Sequence, residues 1–304
     1  MAKPQRHLII VHTPRQQDSA DFDAVKGRMA LLAPDIEVTI VSSREPNDPA
    51  SLPDGPTLVF SPTELLRFKP RRGKIYCGRI YTKMNEITRL RTMGIPVPET
   101  VMVEQGIRLD PATWGPLTVL KPDRGWGGDG VRLARTEDVR WWPPAPPRHI
   151  PYLAQRFIPT GTYPEGYRVM TVFGRPVYGR FSRRTEPLPE NLEAVADPTA
   201  LKITSNVSDG AVVEQRTDPE AIALAVKTAA VFPEAPVLGI DVVRHQTTGK
   251  LYVLEVNPSG QVWHLSTELG KMEQREYGAD YYRQFGAIGV IADALIDVTR
   301  REAK

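Results

Sequence analysis

The chain has 304 residues, of which 41% are hydrophobic and 25% are charged, and its formal net charge at pH 7 is +3. This length predicts two or three domains, each with a hydrophobic core. The small net charge argues against a strongly basic nucleic-acid-binding protein, and no apolar stretch approaches the roughly 20 residues that cross a membrane.

A single cysteine, Cys77, excludes an intramolecular disulfide. Because disulfides are rare in the reducing cytosol, this composition favours a cytoplasmic protein. The apolar run at residues 7–12 is too short for the hydrophobic region of a signal peptide and is typical of a buried strand. We therefore expect a cytoplasmic location with neither a membrane nor a nucleic-acid partner.

The first 80 residues alternate between apolar runs and one helical pattern. Strands are predicted at residues 7–12, 36–41 and 57–60. A helix is predicted over 21–32, where apolar residues recur at three- and four-residue intervals. The order strand, helix, strand, strand predicts a small parallel sheet, with the polar residues 42–56 and 69–74 as loops.

The rest of the chain has a more varied pattern. A helix over 81–93 should end at Gly94, because glycine favours the position after a helix and the following prolines cannot continue it. Further strands are predicted at 117–121, 152–157, 167–173, 176–183, 237–244 and 251–257, and further helices at 221–232 and 281–300. The proline-rich residues 141–151 are predicted to be a linker or an exposed loop, and the polar residues 185–200 are predicted to be a loop.

A glycine-rich segment follows the strand at 117–121. It contains Gly125, Gly127, Gly128 and Gly130, and Lys121 immediately precedes it. Glycine lets backbone N–H groups approach a phosphate closely, and the lysine can supply a positive charge. The spacing differs from a Walker A loop, and a strand-like segment follows where a dinucleotide-binding fingerprint needs a helix. The segment therefore predicts either a phosphate-binding loop or a flexible hairpin turn.

Acidic and amide side chains interrupt the last two predicted strands. Asp241 lies in one strand, and Glu255 and Asn257 share one face of the next because they are two residues apart. A carboxylate among apolar neighbours is costly unless it is paired or bound to a metal. Two carboxylates and an amide oxygen suit Mg²⁺, with phosphate oxygens completing the coordination. The alternative is a set of buried polar residues paired with Arg or Lys.

Taken in order, these segments resemble the motifs of the ATP-grasp superfamily, in the branch of the ribosomal-protein glutamate ligases and prokaryotic glutathione synthetases. The resemblance covers about residues 80–265. It rests on Lys121 with the glycine loop, Gln155-Arg156-Phe157-Ile158, Gly166-Tyr167-Arg168-Val169, Arg183-Arg184, Ser205-Asn206 to Gly210, and Asp241 with Leu254 to Asn257. It implies an α/β (α+β) fold in which two lobes grip ATP after a small parallel-sheet domain.

The resemblance also implies domain limits and residue roles. The domains would be an N-terminal domain at 1–80, a small lobe with the glycine loop at 81–155, and a large catalytic lobe at 156–304. ATP would be bound by Lys83, Lys121, Gly125, Gly127, Gly128, Gly130, Gln155, Arg156, Phe157, Ile158 and Glu165, with the backbone of Arg156 and Ile158 at the adenine edge. One or two Mg²⁺ ions, or Mn²⁺, would be held by Asp241, Glu255 and Asn257, and Arg168, Arg184 and Asn206 would face the transferred phosphate or the carboxylate substrate.

Several residues depart from the family pattern. Trp126 replaces the loop serine, Arg156 replaces the hinge glutamate, and Gly166 replaces the acidic residue before Arg168. The segment after Asn257 also differs from the usual ending, which predicts an unusual acceptor site.

The implied activity is that of a ligase forming a carbon–nitrogen bond. A carboxylate would attack the γ-phosphate of ATP to give an acylphosphate and ADP, and an amine would then displace phosphate. The expected substrates are an amino acid, a small peptide or a peptide tail together with an amine acceptor, and a homo-oligomer is compatible with the resemblance. Two alternatives stay open, namely a small-molecule kinase and a nucleotide-binding regulatory protein without turnover.

Overall fold

A computed structural model describes residues 5–45, 48–66, 68–125, 127–143, 150–204 and 210–304. The described strands form three sheets, which we call the N-terminal, small and central sheets. None of the helices in the described ranges is both long and apolar enough to cross a membrane.

The N-terminal sheet contains four parallel strands in the order β2-β1-β3-β4. Its strands are β1 (Arg6–His12), β2 (Ile36–Ser42), β3 (Thr57–Phe60) and β4 (Lys74–Tyr76), and helix α1 (Ser19–Leu32) joins β1 to β2. The predicted parallel sheet is confirmed, but β4 begins at the end of a stretch for which a loop was predicted. A three-residue edge strand carries too little periodicity to be distinguished from a loop.

The small sheet contains four antiparallel strands in the order β5-β8-β6-β7. Helix α2 (Lys83–Thr92) precedes the strands, which are β5 (Thr100–Met102), β6 (Leu117–Pro122), β7 (Arg132–Arg135) and β8 (Tyr152–Arg156), with the one-turn helix α3 (Pro111–Trp114) before β6. Gly94, which follows α2, has a φ of 70°, consistent with the predicted helix end. The sheet has a small hydrophobic core of its own around Trp114, Leu120 and Val139.

The central sheet contains five antiparallel strands in the order β11-β10-β9-β12-β13. Its elements are β9 (Glu165–Val172), β10 (Arg175–Arg184), β11 (Ala211–Glu214), helix α4 (Pro219–Ala229), β12 (Val237–Arg244), β13 (Leu251–Asn257), and helices α5 (Glu268–Tyr277) and α6 (Ala287–Glu302). Helix α4 packs on one face of this sheet. The predicted final helix begins six residues later than expected, because a 281–300 span was predicted and α6 begins at Ala287.

One hydrophobic core joins the central sheet to the N-terminal sheet. It includes Leu8 of β1, Phe22 of α1, Met170 of β9 and Leu295 of α6. Trp263 lies within the same core, where its ring is 5.2 Å from that of Phe22. The N-terminal and central sheets therefore share their interior.

The segment that follows β13 is held tightly against the N-terminal part of the chain. The N–H of Arg79 donates to the Pro258 carbonyl at 2.8 Å. A Cβ at Gly260 would lie only 2.3 Å from Nε2 of Gln17 and 2.4 Å from Cγ2 of Thr63, so this close approach requires glycine. Because β13 carries Glu255 and Asn257, these contacts fix the end of a strand that belongs to the predicted metal site.

Replacing Asp21 with alanine should lower the free energy of unfolding by about 2–4 kcal/mol. The buried Asp21 carboxylate accepts hydrogen bonds from Nε1 of Trp263 at 2.7 Å, Oγ of Ser266 at 2.6 Å and Oη of Tyr282 at 2.6 Å. Its removal leaves three donors without an acceptor. Urea denaturation measures the loss, and Asp23→Ala, an exposed position on the same helix, is the control. An equal effect of the two substitutions would contradict this account.

Candidate functional site

A cleft lies between the small sheet and the central sheet. Lys121, Gly127 and Gly128 line it from the small sheet, and Arg168 and Asp241 line it from the central sheet. Strand alternation brings these central-sheet side chains to the cleft, because the neighbouring residues face the core under α4. The cleft is concave and lined by a mixture of apolar and charged side chains, as ligand sites are.

Four charged residues form a row across the central sheet. In the strand register Arg180 lies opposite Arg168, Arg168 lies opposite Asp241, and Asp241 lies opposite Glu255. Opposed residues of antiparallel strands point to the same face, with Cβ atoms about 4.5–5.5 Å apart. The row therefore presents two positive charges and then two negative charges to the cleft.

The three predicted metal ligands lie together. Asp241 and Glu255 are neighbours in the row, and Nδ2 of Asn257 donates to Oδ2 of Asp241 at 3.1 Å. A β-bulge directly after Asp241 shifts the register between β12 and β13. Bulges of this kind re-aim side chains and are common beside active sites.

Both carboxylates are paired with cationic side chains. Arg168 donates from Nε and Nη2 to the two oxygens of Asp241 at 2.6 and 2.7 Å, and Nζ of Lys83 lies 2.9 Å from Oε1 of Glu255. Burial opposes the charge on Arg168, but the Asp241 carboxylate outweighs burial and raises the pKa of the guanidinium. Asp241 and Glu255 are therefore paired with an arginine and a lysine, which is the alternative to metal binding that the sequence left open.

The donor set nevertheless fits a hard divalent cation. The side chains of Asp241 and Glu255 are 24% and 25% exposed at the cleft, so both can be reached from solvent. Among the described residues, no group of three or more His, Cys, Asp and Glu side chains could hold a metal ion. A cation at this place would therefore bind two carboxylates and an amide oxygen, and would need further oxygens from a ligand, which is the coordination that Mg²⁺ takes with phosphates.

The two lysines converge on the same strand end. Nζ of the buried Lys121 donates to the Leu254 carbonyl at 3.2 Å, and burial lowers the pKa of this lysine although the nearby Glu255 opposes the change. Nζ of Lys83 also donates to the Gly125 carbonyl at 2.8 Å. Lys83 therefore connects the first residue of the glycine loop to Glu255.

The glycine loop is the turn between β6 and β7. Gly127 and Gly128 have φ angles of 70° and 79°, a left-handed conformation that other residues rarely adopt. A Cβ at Gly130 would lie 2.9 Å from Oη of Tyr152. The hairpin predicted as one alternative is therefore present, and its inner residues line the cleft. Trp126 and Asn206, two residues singled out in the sequence, lie outside the described residues.

The predicted hinge, residues 155–158, comprises the last two residues of β8 and the two that follow, and it lies along the cleft. The N–H of Arg156 donates to the Glu99 carbonyl at 2.8 Å, so the sheet already uses one of the backbone groups expected at the adenine edge. The N–H of Ile158 has no hydrogen-bond partner within the described part of the chain, and this residue lines the cleft. Gln155 and Phe157 line it too, as does Glu165, whose pKa burial raises.

The two predicted arginines differ in position. Arg168 lies in the cleft, whereas the buried Arg184 donates to Glu186 at 2.8 Å and does not belong to the lining among the described residues. Arg180, which the sequence reasoning did not single out, does line the cleft. Its even spacing from Arg184 places both on one face of β10, and this alternation was the available signal.

Sequence reasoning also missed Glu86, a buried carboxylate of α2. Burial, together with the charge of Glu255, raises the pKa of Glu86 to about 8. The N–H of Val256 donates to Oε2 of Glu86 at 3.4 Å. At neutral pH this side chain is therefore largely protonated, and α2 adds little negative charge beside Lys83.

Replacing Glu86 with glutamine should flatten the pH dependence of stability between about pH 4.5 and 8. The pKa of Glu86 is raised in the folded state, so folding takes up a proton in this range and the stability falls as pH rises through it. Glutamine cannot ionise, so the variant should lose less stability than the wild type between pH 5 and pH 9. The difference in free energy of unfolding, variant minus wild type, should therefore be more positive at pH 9 than at pH 5. Urea midpoints at several pH values measure this, and parallel curves for the two proteins would contradict it.

No protein-family model matches the sequence, and no curated protein matches it. Solved structures do match, and they show that the chain has the ATP-grasp fold. D-cycloserine synthetase DcsG superposes with a TM-score of 0.54 at 12% identity, over 96% of this chain and 99% of that one. The ATP-grasp ligase PsnB, complexed with a phosphomimetic variant of a minimal precursor, Mg and ADP, gives 0.53 at 15% identity, over 98% and 100%. PsnB with the precursor peptide PsnA2 and AMPPNP gives 0.52 at 17%, over 97% and 98%.

At these identities the likeness concerns the fold. The predicted α/β architecture of the ATP-grasp type is therefore confirmed, whereas the branch, the domain limits and the residue roles stay predictions.

Proposed function

We propose that this chain is an ATP- and Mg²⁺-dependent carboxylate–amine ligase that works through an acylphosphate. The observation that supports it most is the charged row on the central sheet, which faces Lys121 and the glycine loop across the cleft. A polyphosphate with its divalent cation needs carboxylates, cationic side chains and free backbone N–H groups within a few ångströms of one another. The fold is also that of PsnB, which was solved with Mg and ADP.

In this proposal the nucleotide lies along the cleft. The free N–H of Ile158 meets the adenine edge, Lys121 and Lys83 contact phosphates, and Gly127 and Gly128 cover them. Asp241, Glu255 and Asn257 would hold Mg²⁺, which neutralises charge on the phosphate oxygens when bound. Arg168 would exchange its present pairing with Asp241 for the transferred phosphoryl group once the cation takes that carboxylate, and its two parallel donors suit phosphate oxygens.

The reaction has two balanced steps. An oxygen of the substrate carboxylate forms a bond to the γ-phosphorus while the bond to the β,γ-bridging oxygen breaks, and ADP leaves with that electron pair. An amine then attacks the acyl carbon, phosphate leaves, and the amine nitrogen loses a proton. The residues of the chain align the reactants and neutralise charge, and the covering loop excludes water that would hydrolyse the acylphosphate.

The proposed substrates are an amino acid, a small peptide or a peptide tail, together with an amine acceptor. PsnB was solved with a precursor peptide, which makes peptides a suitable part of the first screen. The proposal places the reaction in the cytoplasm, where ATP is available.

Product analysis tests the proposal. The purified protein is incubated with ATP, MgCl₂ and pools of amino acids and short peptides, and ADP, free phosphate and product masses are measured. A ligase gives equal amounts of ADP and phosphate and a product whose mass is the sum of two substrates less one water. ADP with a phosphorylated product and no free phosphate would favour a kinase, and no ADP from any pool would overturn the ligase.

A further inference from the structure

The cleft extends along the charged row to Arg180. This residue is 5% exposed and lines the cleft. Its Nη1 contacts Glu273 at 2.5 Å, while Nε and Nη2 make no hydrogen bond with any described residue. Nε and Nη2 form the edge of a guanidinium that binds a carboxylate through two parallel hydrogen bonds, as Arg168 does with Asp241. Arg180 therefore offers a free carboxylate-binding edge at a position that is nearly inaccessible to solvent.

A buried polar network, which contains Glu273, His264, Tyr281 and Tyr178, fixes the position of Arg180. The Glu273 carboxylate is fully buried and accepts from Oη of Tyr281 at 2.8 Å, and its other contact is Nδ1 of His264 at 3.1 Å. The ring of Tyr178 stacks on that of His264 with their centroids 5.7 Å apart. Burial lowers the pKa of His264 to about 4, so it is neutral at pH 7. Although burial opposes it, the hydrogen bond from His264 and the charge of Arg180 lower the pKa of Glu273 to about 2, so Glu273 is ionised.

The network therefore contains one anion and one cation, and it fixes the orientation of the guanidinium. A bound carboxylate would become the second anion beside Arg180, in a site whose low dielectric strengthens the attraction. An arginine whose carboxylate partner is itself fixed by hydrogen bonds also loses less side-chain entropy when it binds a ligand. Packing alone does not account for the Arg180–Glu273 ion pair, since a hydrophobic pair of the same volume would cost less to bury.

The position of Arg180 in the row specifies which carboxylate it would meet. Neighbouring strands lie about 4.8 Å apart, so Arg180 is one strand beyond Arg168 and two beyond Asp241. In a productive complex the attacking oxygen lies about 3–3.5 Å from the phosphorus, on the side away from the leaving group. With the transferred phosphoryl group at Arg168, a carboxylate at Arg180 is within that reach.

We propose that Arg180 binds and orients the substrate carboxylate that attacks the γ-phosphate, and that Glu273, His264 and Tyr281 are its positioning residues. This inference rests on the proposed function and assigns its acid subsite. One carboxylate oxygen bonds to phosphorus as the bridging oxygen leaves with ADP, and Arg180 only binds and orients the carboxylate. The substrate class is a free carboxylic acid, and the corresponding amide is excluded because its NH₂ group would face the Arg180 donors.

Two variants test the assignment. Arg180→Lys keeps the positive charge beside Glu273, so the variant should fold. It removes the two parallel N–H donors that bind a carboxylate. Arg175→Gln is the matched control, since Arg175 lies at the other end of the same strand, where it pairs with the exposed Asp297. Folding of each variant is checked by circular dichroism and by urea denaturation.

Binding is measured by thermal shift with free amino acids and with the amides of each of their carboxylates. Aspartate is therefore compared with asparagine for its side-chain carboxylate and with its α-amide for the other carboxylate, and glutamate is treated in the same way. Each probe is used alone and with AMPPNP and Mg²⁺. We expect at least one acid, and not its amide, to protect the wild type and Arg175→Gln. Arg180→Lys should bind that acid about 10- to 100-fold more weakly, with an unchanged affinity for AMPPNP.

Three results would overturn the inference. Two of them are an undiminished preference of Arg180→Lys for the acid and a panel in which no acid protects the wild type. A loss of AMPPNP affinity in Arg180→Lys with acid binding intact would also overturn it, because it would place Arg180 at the triphosphate. Failure of the proposed function gives a different result, which is the lack of any Mg²⁺-dependent AMPPNP shift in the wild type.

Discussion

Replacing Glu255 with glutamine is expected to reduce ATP turnover by about 10²- to 10³-fold. Glu255 lies beside Asp241 in the row and pairs with the Lys83 ammonium, so the substitution removes a charge that this lysine uses and that the proposed cation would use. Glutamine has nearly the same shape, which limits the effect on packing. The measurement is kcat/KM for ADP formation across a Mg²⁺ titration, in which the variant should also need more Mg²⁺ to reach half its maximal rate.

Glu220→Gln is the control for this prediction. Glu220 is an exposed carboxylate that pairs with Arg244 at the surface of α4, so its loss should leave turnover within about twofold because exposed ion pairs contribute little. Equal activity and an equal Mg²⁺ requirement in the Glu255 variant and the wild type would remove Glu255 from the proposed metal site.

The second large effect is expected on stability. Replacing Glu273 with alanine should lower the free energy of unfolding by about 3–5 kcal/mol, because it leaves the charge of the buried Arg180 without its counterion. It also leaves the Tyr281 hydroxyl without its acceptor. Urea denaturation followed by circular dichroism measures the loss.

Glu276→Ala is the matched control, since Glu276 is an exposed residue of the same helix α5. A double variant, Arg180→Met with Glu273→Leu, should regain most of the lost stability, since it removes both charges together. If Glu273→Ala were no less stable than Glu276→Ala, the carboxylate would not be compensating a buried charge.

The sequence was sufficient to predict the parts of the fold that repeat a simple pattern. Strands β12 and β13 were predicted at their observed limits, because continuous apolar runs with single polar interruptions are characteristic of buried strands. The same alternation placed Glu255 and Asn257 on one face. The closeness of Asp241 to these two residues could also be predicted, because the short turn between β12 and β13 forces the strands to pair antiparallel.

Other elements could not be read from the sequence because tertiary contacts define them. Helix α5 has the sequence ELGKMEQREY, and its buried residues are Gly270 and Glu273, so it has no apolar stripe to reveal it. Strands β5 and β11 have three and four residues, too few for a period to be recognised. The alternation along β10 was a signal for the position of Arg180, but its pairing with Glu273 could not be predicted, since the two residues are 93 positions apart in the chain.

The shared interior of the N-terminal and central sheets has a consequence for how the molecule opens. Disruption of either sheet exposes the core of the other, so their amide hydrogens should exchange with solvent together, in one cooperative event. The small sheet has its own core around Trp114, so its amides can exchange in a separate and less costly event. If substrate enters when the small sheet opens in this way, the glycine loop is uncovered while the strands bearing Asp241 and Glu255 stay in place.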